Sequence, residues 1–170
     1  SHPVAVASAL VSGLAGGSIL NASRETLEAA ILGFLFACAI GIPSGIILGL
    51  LPRVNRVVGP TIDALRPIPS VALIPLSLML FGFGVLMEAS VVSFACLWPI
   101  LLITASSVKG LEPTWLEVAR LLDFSVLERT FKIVLPGAIG GILVGLRLAL
   151  GISLIVAVTV EIVLNPRGLG

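Results

Sequence analysis

Long apolar stretches with few charged positions dominate this chain of 170 residues. Three of them contain no charged residue at all, namely Ile31–Leu51, Pro67–Met87 and Ala89–Val108. A fourth apolar stretch, Gly137–Val160, is interrupted only by Arg147. An α-helix needs about 20 apolar residues to cross the ~30 Å hydrocarbon core of a bilayer. The pattern therefore predicts an all-α, polytopic transmembrane helix bundle with four spans.

The predicted spans cover approximately residues 26–51, 67–87, 89–108 and 137–161. Residues 1–25 mix small and polar side chains, and we expect them to form a periplasmic or interfacial lead-in. Because only Glu88 separates the second span from the third, these two should form a hairpin that turns near residues 82–88. Residues 109–136 form a charged loop between the third and fourth spans.

Basic residues are unevenly distributed between the predicted loops. Two loops are rich in them, with Arg53, Arg56 and Arg66 in one and Lys109, Arg120, Arg129 and Lys132 in the other. The opposite side carries only Arg24 and Arg167. Lysine and arginine are enriched on the cytoplasmic side of membrane proteins. Both basic loops are therefore predicted to be cytoplasmic, and the hairpin tip and both chain ends periplasmic.

The overall composition supports a bilayer as the solvent of this chain. Hydrophobic residues make up 58% and charged residues 11%, whereas soluble domains carry roughly 25% charged residues. The net charge of +1 gives no reason to expect a nucleic-acid partner. Cys38 and Cys96 fall inside apolar runs and are interpreted as small buried side chains rather than a disulfide or metal pair. No cofactor or metal site is predicted.

Small residues recur at every fourth position on two spans. Gly41, Gly45 and Gly49 do so on the first span, and Gly137, Gly141 and Gly145 on the fourth. Glycine at this spacing leaves a flat strip that another helix can approach closely. We expect these strips to serve packing within the chain.

Arg147 is the unusual residue of the fourth span. At 1.5 Å per residue it lies ~15 Å from Pro136, close to the middle of the bilayer. A charge at that depth is expensive and marks a candidate functional residue. Two interpretations stay open: a pathway residue that attracts an anionic solute, or a structural arginine that bonds helix-end carbonyls or a carboxylate. Glu88 and Glu161 are expected at solvated helix ends.

The loop over residues 109–136 has the pattern of two short helices. Pro113 suits the first turn of one helix, and Trp115, Val118, Ala119 and Leu122 would share its apolar face. Asp123 is predicted to end that helix, and Ser125 with Glu128 forms a capping box for the next one. Phe124, Val126 and Leu127 place apolar groups at the tip between the helices. Such a patch indicates either a protein interface or a segment lying on the lipid surface.

The spacing of Glu117, Ala119, Ile133, Leu135 and Pro136 resembles the EAA loop of permease subunits in binding-protein-dependent ABC importers. Two positions depart from that pattern: Val118 stands where alanine is usual, and Asp123 stands where the family has glycine. Asp123 tolerates a left-handed turn better than most residues but at a cost of roughly 1 kcal/mol. Further likeness to the nitrate, sulfonate and taurine branch covers almost the whole chain, through residues 65–75, 81–84, 145–150 and 168–170.

The resemblance implies a type I ABC importer permease core in the inner (plasma) membrane of a bacterium, crossing it several times. Compared with the family, the chain starts after a first span and stops before a last one. The implied solute is small and anionic. The implied partners are a dimer of cytosolic ATP-binding subunits, a second and identical permease subunit, a periplasmic solute-binding protein and the lipid bilayer. The loop residues implied to couple to the ATP-binding subunit are Glu117, Ala119, Asp123, Phe124, Val126, Leu127, Ile133, Leu135 and Pro136.

Other functions are compatible with parts of the pattern. An ABC permease for another small nutrient, such as a vitamin precursor, would share every feature named above. A non-transporting membrane scaffold would share the glycine strips but would not need the loop. An integral membrane enzyme would need a cluster of nucleophiles, acids or metal ligands, which the predicted spans do not offer. The chain also carries no phosphate-binding glycine-rich motif, so ATP hydrolysis is expected on a separate subunit.

Overall fold

The computed structural model describes residues 18–164, apart from the side chains of residues 18, 116, 120 and 164. Within that range the chain forms helices and no strand. The helices are α1 (Ser18–Leu50), α2 (Pro52–Leu65), α3 (Ile74–Phe81), α4 (Val85–Lys109), α5 (Pro113–Leu121), α6 (Val126–Arg129) and α7 (Leu135–Leu164). A 3-10 turn, Ser70–Leu73, precedes α3, and a π-helical turn, Thr130–Val134, joins α6 to α7. The predicted all-α fold is confirmed.

Three helical stretches in the described part of the chain are long and apolar enough to cross a membrane. They are Ile19–Leu50 in α1, Val85–Lys109 in α4 and Val126–Val163 in α6 through α7. The predicted spans over residues 26–51, 89–108 and 137–161 fall on these three stretches. Of the predicted lead-in, residues 1–17 lie outside the described residues, and residues 18–25 belong to α1.

The structure differs from the prediction over the second span, residues 67–87. The stretch contains α3, which has 8 residues, and the first three residues of α4. The α3 helix reaches the length of a span only together with α2, from which the Ser70–Phe81 stretch is bent by 84°. Prolines explain the break, because Pro67 and Pro69 lack the N–H that a continuous helix requires and Pro69 is extended at φ −62° and ψ 124°. Residues 67–87 are therefore not one continuous helix, and the membrane span predicted over them stays a prediction.

Residue contacts divide the chain into two units, which are described separately. The described residues of the first unit are 18–35, 69–95 and 151–164. Inside it, Gly33 of α1 packs against Ala89 and Val92 of α4: a Cβ on Gly33 would lie 2.6 Å from the Ala89 carbonyl oxygen. Gly82 at φ +70° and Gly84 at φ +142° form the bend between α3 and α4.

Two carboxylates of the first unit are buried, contrary to expectation. Glu88 lies in the first turn of α4 and Glu161 lies near the end of α7, and each is only 2% exposed. The Thr26 hydroxyl of α1 donates a hydrogen bond of 2.7 Å to Glu161 Oε1. The prediction that these glutamates lie at solvated helix ends is wrong, because tertiary packing covers them; for Glu161 it also supplies a polar partner from a distant part of the chain.

The second unit comprises residues 36–68 and 96–150. Its α4 segment packs closely on the glycine strip of α1. Gly41 faces Leu97 and Ile100, and Gly49 faces Val108. A Cβ on Gly45 would lie 2.7 Å from the Leu101 carbonyl oxygen and 2.7 Å from Thr104 Cβ. Only glycine fits at this distance, so the predicted role of the strip in packing within the chain is confirmed.

The glycine strip of α7 packs on the same α4 segment and on the residues that follow it. Gly141 contacts Ser107, and Gly145 contacts Ile103. Farther along, Gly137 contacts Leu111 and Trp115. Buried Val108, Val134, Ala138 and Ile142 form a hydrophobic cluster beside these contacts. Within the second unit, α4 therefore has a glycine-lined neighbour in both α1 and α7.

Gly45→Ala should destabilise the protein by about 1–3 kcal/mol, the usual effect of adding a methyl group to a closely packed site. Gly59→Ala is the matched control, because a Cβ at Gly59 of α2 meets nothing within 4 Å. That change should instead stabilise the helix by about 0.4–1 kcal/mol, since it restricts the unfolded chain. Thermal unfolding of the purified protein in detergent measures both. Equal melting temperatures for the two variants would contradict the packing described here.

Candidate functional site: the loop between α4 and α7

The loop begins where α4 ends at Lys109 and continues into α5, as the sequence predicted. Pro113 occupies the first position of α5, where the missing N–H of proline has no helical partner to lose. Ala119 is 1% exposed, whereas Trp115 and Val118 on the same helix are about half exposed. The predicted apolar face of α5 is thus only partly covered by the chain itself.

A left-handed residue ends α5. Asp123 has φ +50° and, among the described residues other than glycine, is the one with positive φ. The Phe124 N–H donates a hydrogen bond of 3.0 Å to the Ala119 carbonyl oxygen. This bond spans six residues and is the closing bond of a Schellman-type helix end, in which the left-handed position is usually glycine. The turn that the sequence predicted at Asp123 is therefore present, with aspartate in glycine's place.

The predicted capping box starts α6. Glu128 N–H donates to Ser125 Oγ at 3.3 Å, and Ser125 N–H donates to Glu128 Oε2 at 3.0 Å. Lys132 extends the arrangement: its Nζ lies 3.0 Å from Glu128 Oε1 and 4.8 Å from the centre of the Phe124 ring. Hydrogen bonds, an ion pair and a cation–π contact therefore join the turn to the helix that follows it.

The second loop helix does not end before the membrane span. It passes through the π-helical turn Thr130–Val134 directly into α7, with the Leu135 N–H bonded to the Thr130 carbonyl five residues earlier. Pro136 explains the wider turn, because in a regular α-helix its ring would collide with the Lys132 carbonyl and leave it without a donor. A π-helical turn avoids this collision, and such turns are frequent at functional sites.

The sequence-predicted residues around this turn have different surroundings. Leu135 packs against the buried cluster that contains Val134. Ile133 and Pro136 instead line a groove of about 330 Å³ together with Trp115, Val118, Lys132 and Gly137. Glu117 is exposed.

Apolar side chains project from both sides of the turn. Val126 and Leu127 are each 70% exposed, as the sequence led us to expect. Phe124 is only partly exposed, because it lies beneath Lys132. Leu121, at 83% exposed, and Phe131, at 64%, belong to the same surface and were not predicted. The sequence feature that could have indicated their exposure is their place at helix ends: Leu121 is the last residue of α5, and Phe131 lies two residues after the end of α6.

Arg147 lies in the middle of α7, and its side chain is exposed on the surface of the chain. Within residues 18–164 the structure gives it no hydrogen bond and no ion pair. The helix-end carbonyl or carboxylate that a structural arginine would require is therefore not found in the described part of the chain. In the same part, no three His, Cys, Asp or Glu side chains are close enough together to hold a metal ion.

Asp123→Val should loosen the loop, because a β-branched residue in the left-handed region costs about 1–2 kcal/mol. Asp123→Gly is the matched control and should keep or tighten the turn. Hydrogen–deuterium exchange of the Phe124 amide reports on the bond to Ala119. We expect this amide to exchange about tenfold faster in Asp123→Val, since 1.4 kcal/mol is a factor of ten. Equal protection in the valine and glycine variants would show that backbone strain at residue 123 does not control the turn.

Residues 41–170 match the family described as binding-protein-dependent transport system inner membrane component. The chain is 30% identical to the putative aliphatic sulfonates transport permease protein SsuC of Bacillus subtilis (91% of this chain, 56% of the relative). It is 32% identical to the taurine transport system permease protein TauC of Escherichia coli (85% and 53%). It is 35% identical to the bicarbonate transport system permease protein CmpB of Synechococcus elongatus (78% and 48%). The chain thus spans about half the length of the curated relatives it matches.

Proposed function

The chain belongs to the family of binding-protein-dependent transport system inner membrane components, and we propose that it is the permease subunit of an ATP-driven importer. The proposed solute is a small anion. Relatives named for sulfonates, taurine and bicarbonate support this class, because all three names denote small solutes that carry an anionic group. A vitamin precursor or another small nutrient is the alternative solute.

The proposed importer contains further subunits. A dimer of cytosolic ATP-binding subunits supplies the energy, a second and identical permease subunit completes the pathway, and a periplasmic solute-binding protein delivers the solute. ATP hydrolysis takes place on the ATP-binding subunits rather than on this chain. These assignments rest on the family name, which refers to transport that depends on a binding protein.

The main observation behind the proposal is that the loop between α4 and α7 is held in shape by hydrogen bonds and exposes an apolar surface. Leu121, Leu122, Val126 and Leu127 are exposed around a turn that is fixed by the Schellman bond and the capping box. A short rigid helix with apolar anchors suits a groove on a partner protein. Because α6 continues through the π-helical turn into α7, movement of the docked loop would be transmitted directly to a membrane span.

The basic residues support a cytosolic position of this loop. Lys109 ends α4, and Lys132 and Arg129 lie within or beside the turn. On α2, Arg53 and Arg56 are exposed. A cytoplasmic excess of lysine and arginine orients membrane helices. The loop therefore faces the compartment in which ATP is available, and the bend near Gly82 and Gly84 faces the periplasm.

Changing Leu127 and Val126 together to Ala should weaken docking of the ATP-binding subunit by tenfold or more. Burial of each large apolar side chain is worth about 1.5–3 kcal/mol, and 1.4 kcal/mol is a factor of ten. Co-purification of the ATP-binding subunit and solute uptake are measured together, with membrane abundance of the permease as a check. Phe124→Ala should weaken docking less, because its ring packs beneath Lys132.

Met79→Ala is the matched control for that experiment. Met79 of α3 is 87% exposed and lies outside the loop, so its removal should leave the ATP-binding subunit attached. The loop would not be the coupling element if the double variant of Val126 and Leu127 retained both the subunit and uptake.

For Arg147 we propose a position on the solute pathway. A charge deep in a membrane must face water or a polar partner, and the described part of the chain provides no such partner. Arg147→Gln should therefore reduce uptake at least tenfold while the permease stays at its normal level in the membrane, because one charge-assisted hydrogen bond is worth about 1.5–3 kcal/mol. Arg147→Lys keeps the charge and should retain part of the uptake. Loss of the protein from the membrane in the glutamine variant would instead assign Arg147 a structural role.

A further inference from the structure

A second concave site lies away from the coupling loop, where α2 passes the ends of α1 and α4. It is a cavity of about 220 Å³ in the second unit, roughly seven times the ~30 Å³ that a water molecule occupies in the liquid. Its apolar wall consists of Leu48, Ile62, Leu102 and Ala105. Three of these, Leu48, Ile62 and Ala105, are buried and belong to one hydrophobic cluster. The apolar wall of the cavity is therefore part of the packed interior of the second unit.

The rim of this cavity is polar and carries both signs of charge. Asn55, Asp63, Ser106 and Lys109 line it. In the part of the chain that the structure describes, none of these four side chains makes a hydrogen bond or an ion pair. Lys109 and Asp63 share the cavity and have opposite charges, yet they do not pair with each other. The site thus presents a cation and an anion to a common space large enough for a small group between them.

The cavity is at the border of the membrane. Lys109 is the last residue of the membrane-crossing helix α4, and Leu48 lies in the last turn of α1. The α2 helix is amphipathic: Ile62 is buried, whereas Arg53, Arg56 and Asp63 are exposed. Amphipathic helices with basic polar faces lie in the plane of the bilayer interface. The groups present at that depth in high concentration are lipid headgroups.

We propose that this cavity binds the headgroup of a zwitterionic phospholipid that carries a phosphate and a primary ammonium group, as phosphatidylethanolamine does. Lysine ammonium groups bind phosphate oxygens as point charges, so Lys109 takes the phosphate. The carboxylate of Asp63 accepts hydrogen bonds from the lipid ammonium group. Asn55 and Ser106 have donors for the remaining phosphate oxygens, and the apolar wall contacts the glycerol backbone.

The charges discriminate among the common headgroups. A phosphatidylglycerol headgroup would satisfy Lys109 but leave Asp63 without a cation. A phosphatidylcholine headgroup has no N–H to donate to the carboxylate of Asp63. The proposal depends only on the position of the chain in a membrane and not on the identity of the transported solute.

Native mass spectrometry of the detergent-purified protein tests the site directly. The protein is offered dioleoyl-phosphatidylethanolamine, -phosphatidylglycerol and -phosphatidylcholine in equal amounts, and the retained lipid is counted. The ethanolamine lipid should be preferred. Asp63→Asn should abolish the preference over the glycerol lipid, and Lys109→Gln should lower retention of all three lipids by about tenfold, the loss expected for one charge-assisted hydrogen bond.

Three further variants separate lipid binding from loss of folding. Gly59 lines the cavity and has open space where its Cβ would lie, so Gly59→Leu should fill the cavity and displace the lipid without destabilising the helix. Arg53→Gln and Arg56→Gln remove exposed charges from the same helix that do not line the cavity, and both should retain the preference.

Several outcomes would overturn the proposal. One is an unchanged lipid preference in Asp63→Asn or unchanged retention in Lys109→Gln. Another is stronger retention of water-soluble glycerophosphoethanolamine than of the lipid, which would identify a soluble ligand as the occupant. A third is loss of a co-purified protein subunit from Lys109→Gln with lipid retention unchanged, which would identify the cavity as a protein contact.

Discussion

The close approach of α4 to glycine backbones is the constraint on which the second unit depends. In a membrane, apolar side chains gain nothing by leaving lipid for another helix, so association relies on dispersion and on close contact of backbones. Gly45 and Gly49 on α1 and Gly141 and Gly145 on α7 provide that contact with the same segment of α4. Side chains at these positions would hold the helices apart and expose the buried cluster around Val134.

The same packing determines where the loop between α4 and α7 is held. Gly137 lies against Leu111 before α5 and against Trp115 within it, so α5 contacts the first turn of α7. The other end of the loop is part of the same continuous helical stretch as α7. Between these two attachments the chain reverses at Asp123 with its backbone hydrogen bonds satisfied. A loop that is held at both ends and capped in the middle would lose less conformational entropy on binding a partner than an unstructured loop.

The sequence predicted the structure correctly where a short segment determines its own conformation. The start of α5 at Pro113, the turn at Asp123 and the capping box of Ser125 and Glu128 each depend on residues within a few positions of one another. The long spans follow from the absence of charge, and the glycine strips from their spacing. Hydropathy over residues 67–87 did not indicate the break in the helix, because Pro67 and Pro69 interrupt the helix without making the segment polar.

The sequence could not predict which side chains of the loop are exposed and which are covered. Phe124 was expected at an exposed tip, but Lys132, eight positions later, covers its ring through a contact that no local pattern specifies. The same limit applies to Leu121 and Phe131, whose exposure depends on what the rest of the fold leaves uncovered. The π-helical turn was not predicted, because it depends on two features together: the start of α6 at its capping box and the proline at residue 136. Neither feature alone indicates that α6 continues into α7.

Two charged residues of α7, Glu161 and Arg147, have opposite surroundings. A polar group in hydrocarbon requires a partner, and the partner's location determines what the residue can do. Glu161 is buried and receives a hydrogen bond from Thr26 across more than a hundred residues of sequence, so it ties α7 to α1 inside the first unit. Arg147 is exposed, and the described residues give it neither a hydrogen bond nor an ion pair. Glu161 therefore stabilises the first unit. Any polar partner of Arg147 must come from outside the described residues, which is the basis for the proposal that Arg147 meets the transported anion.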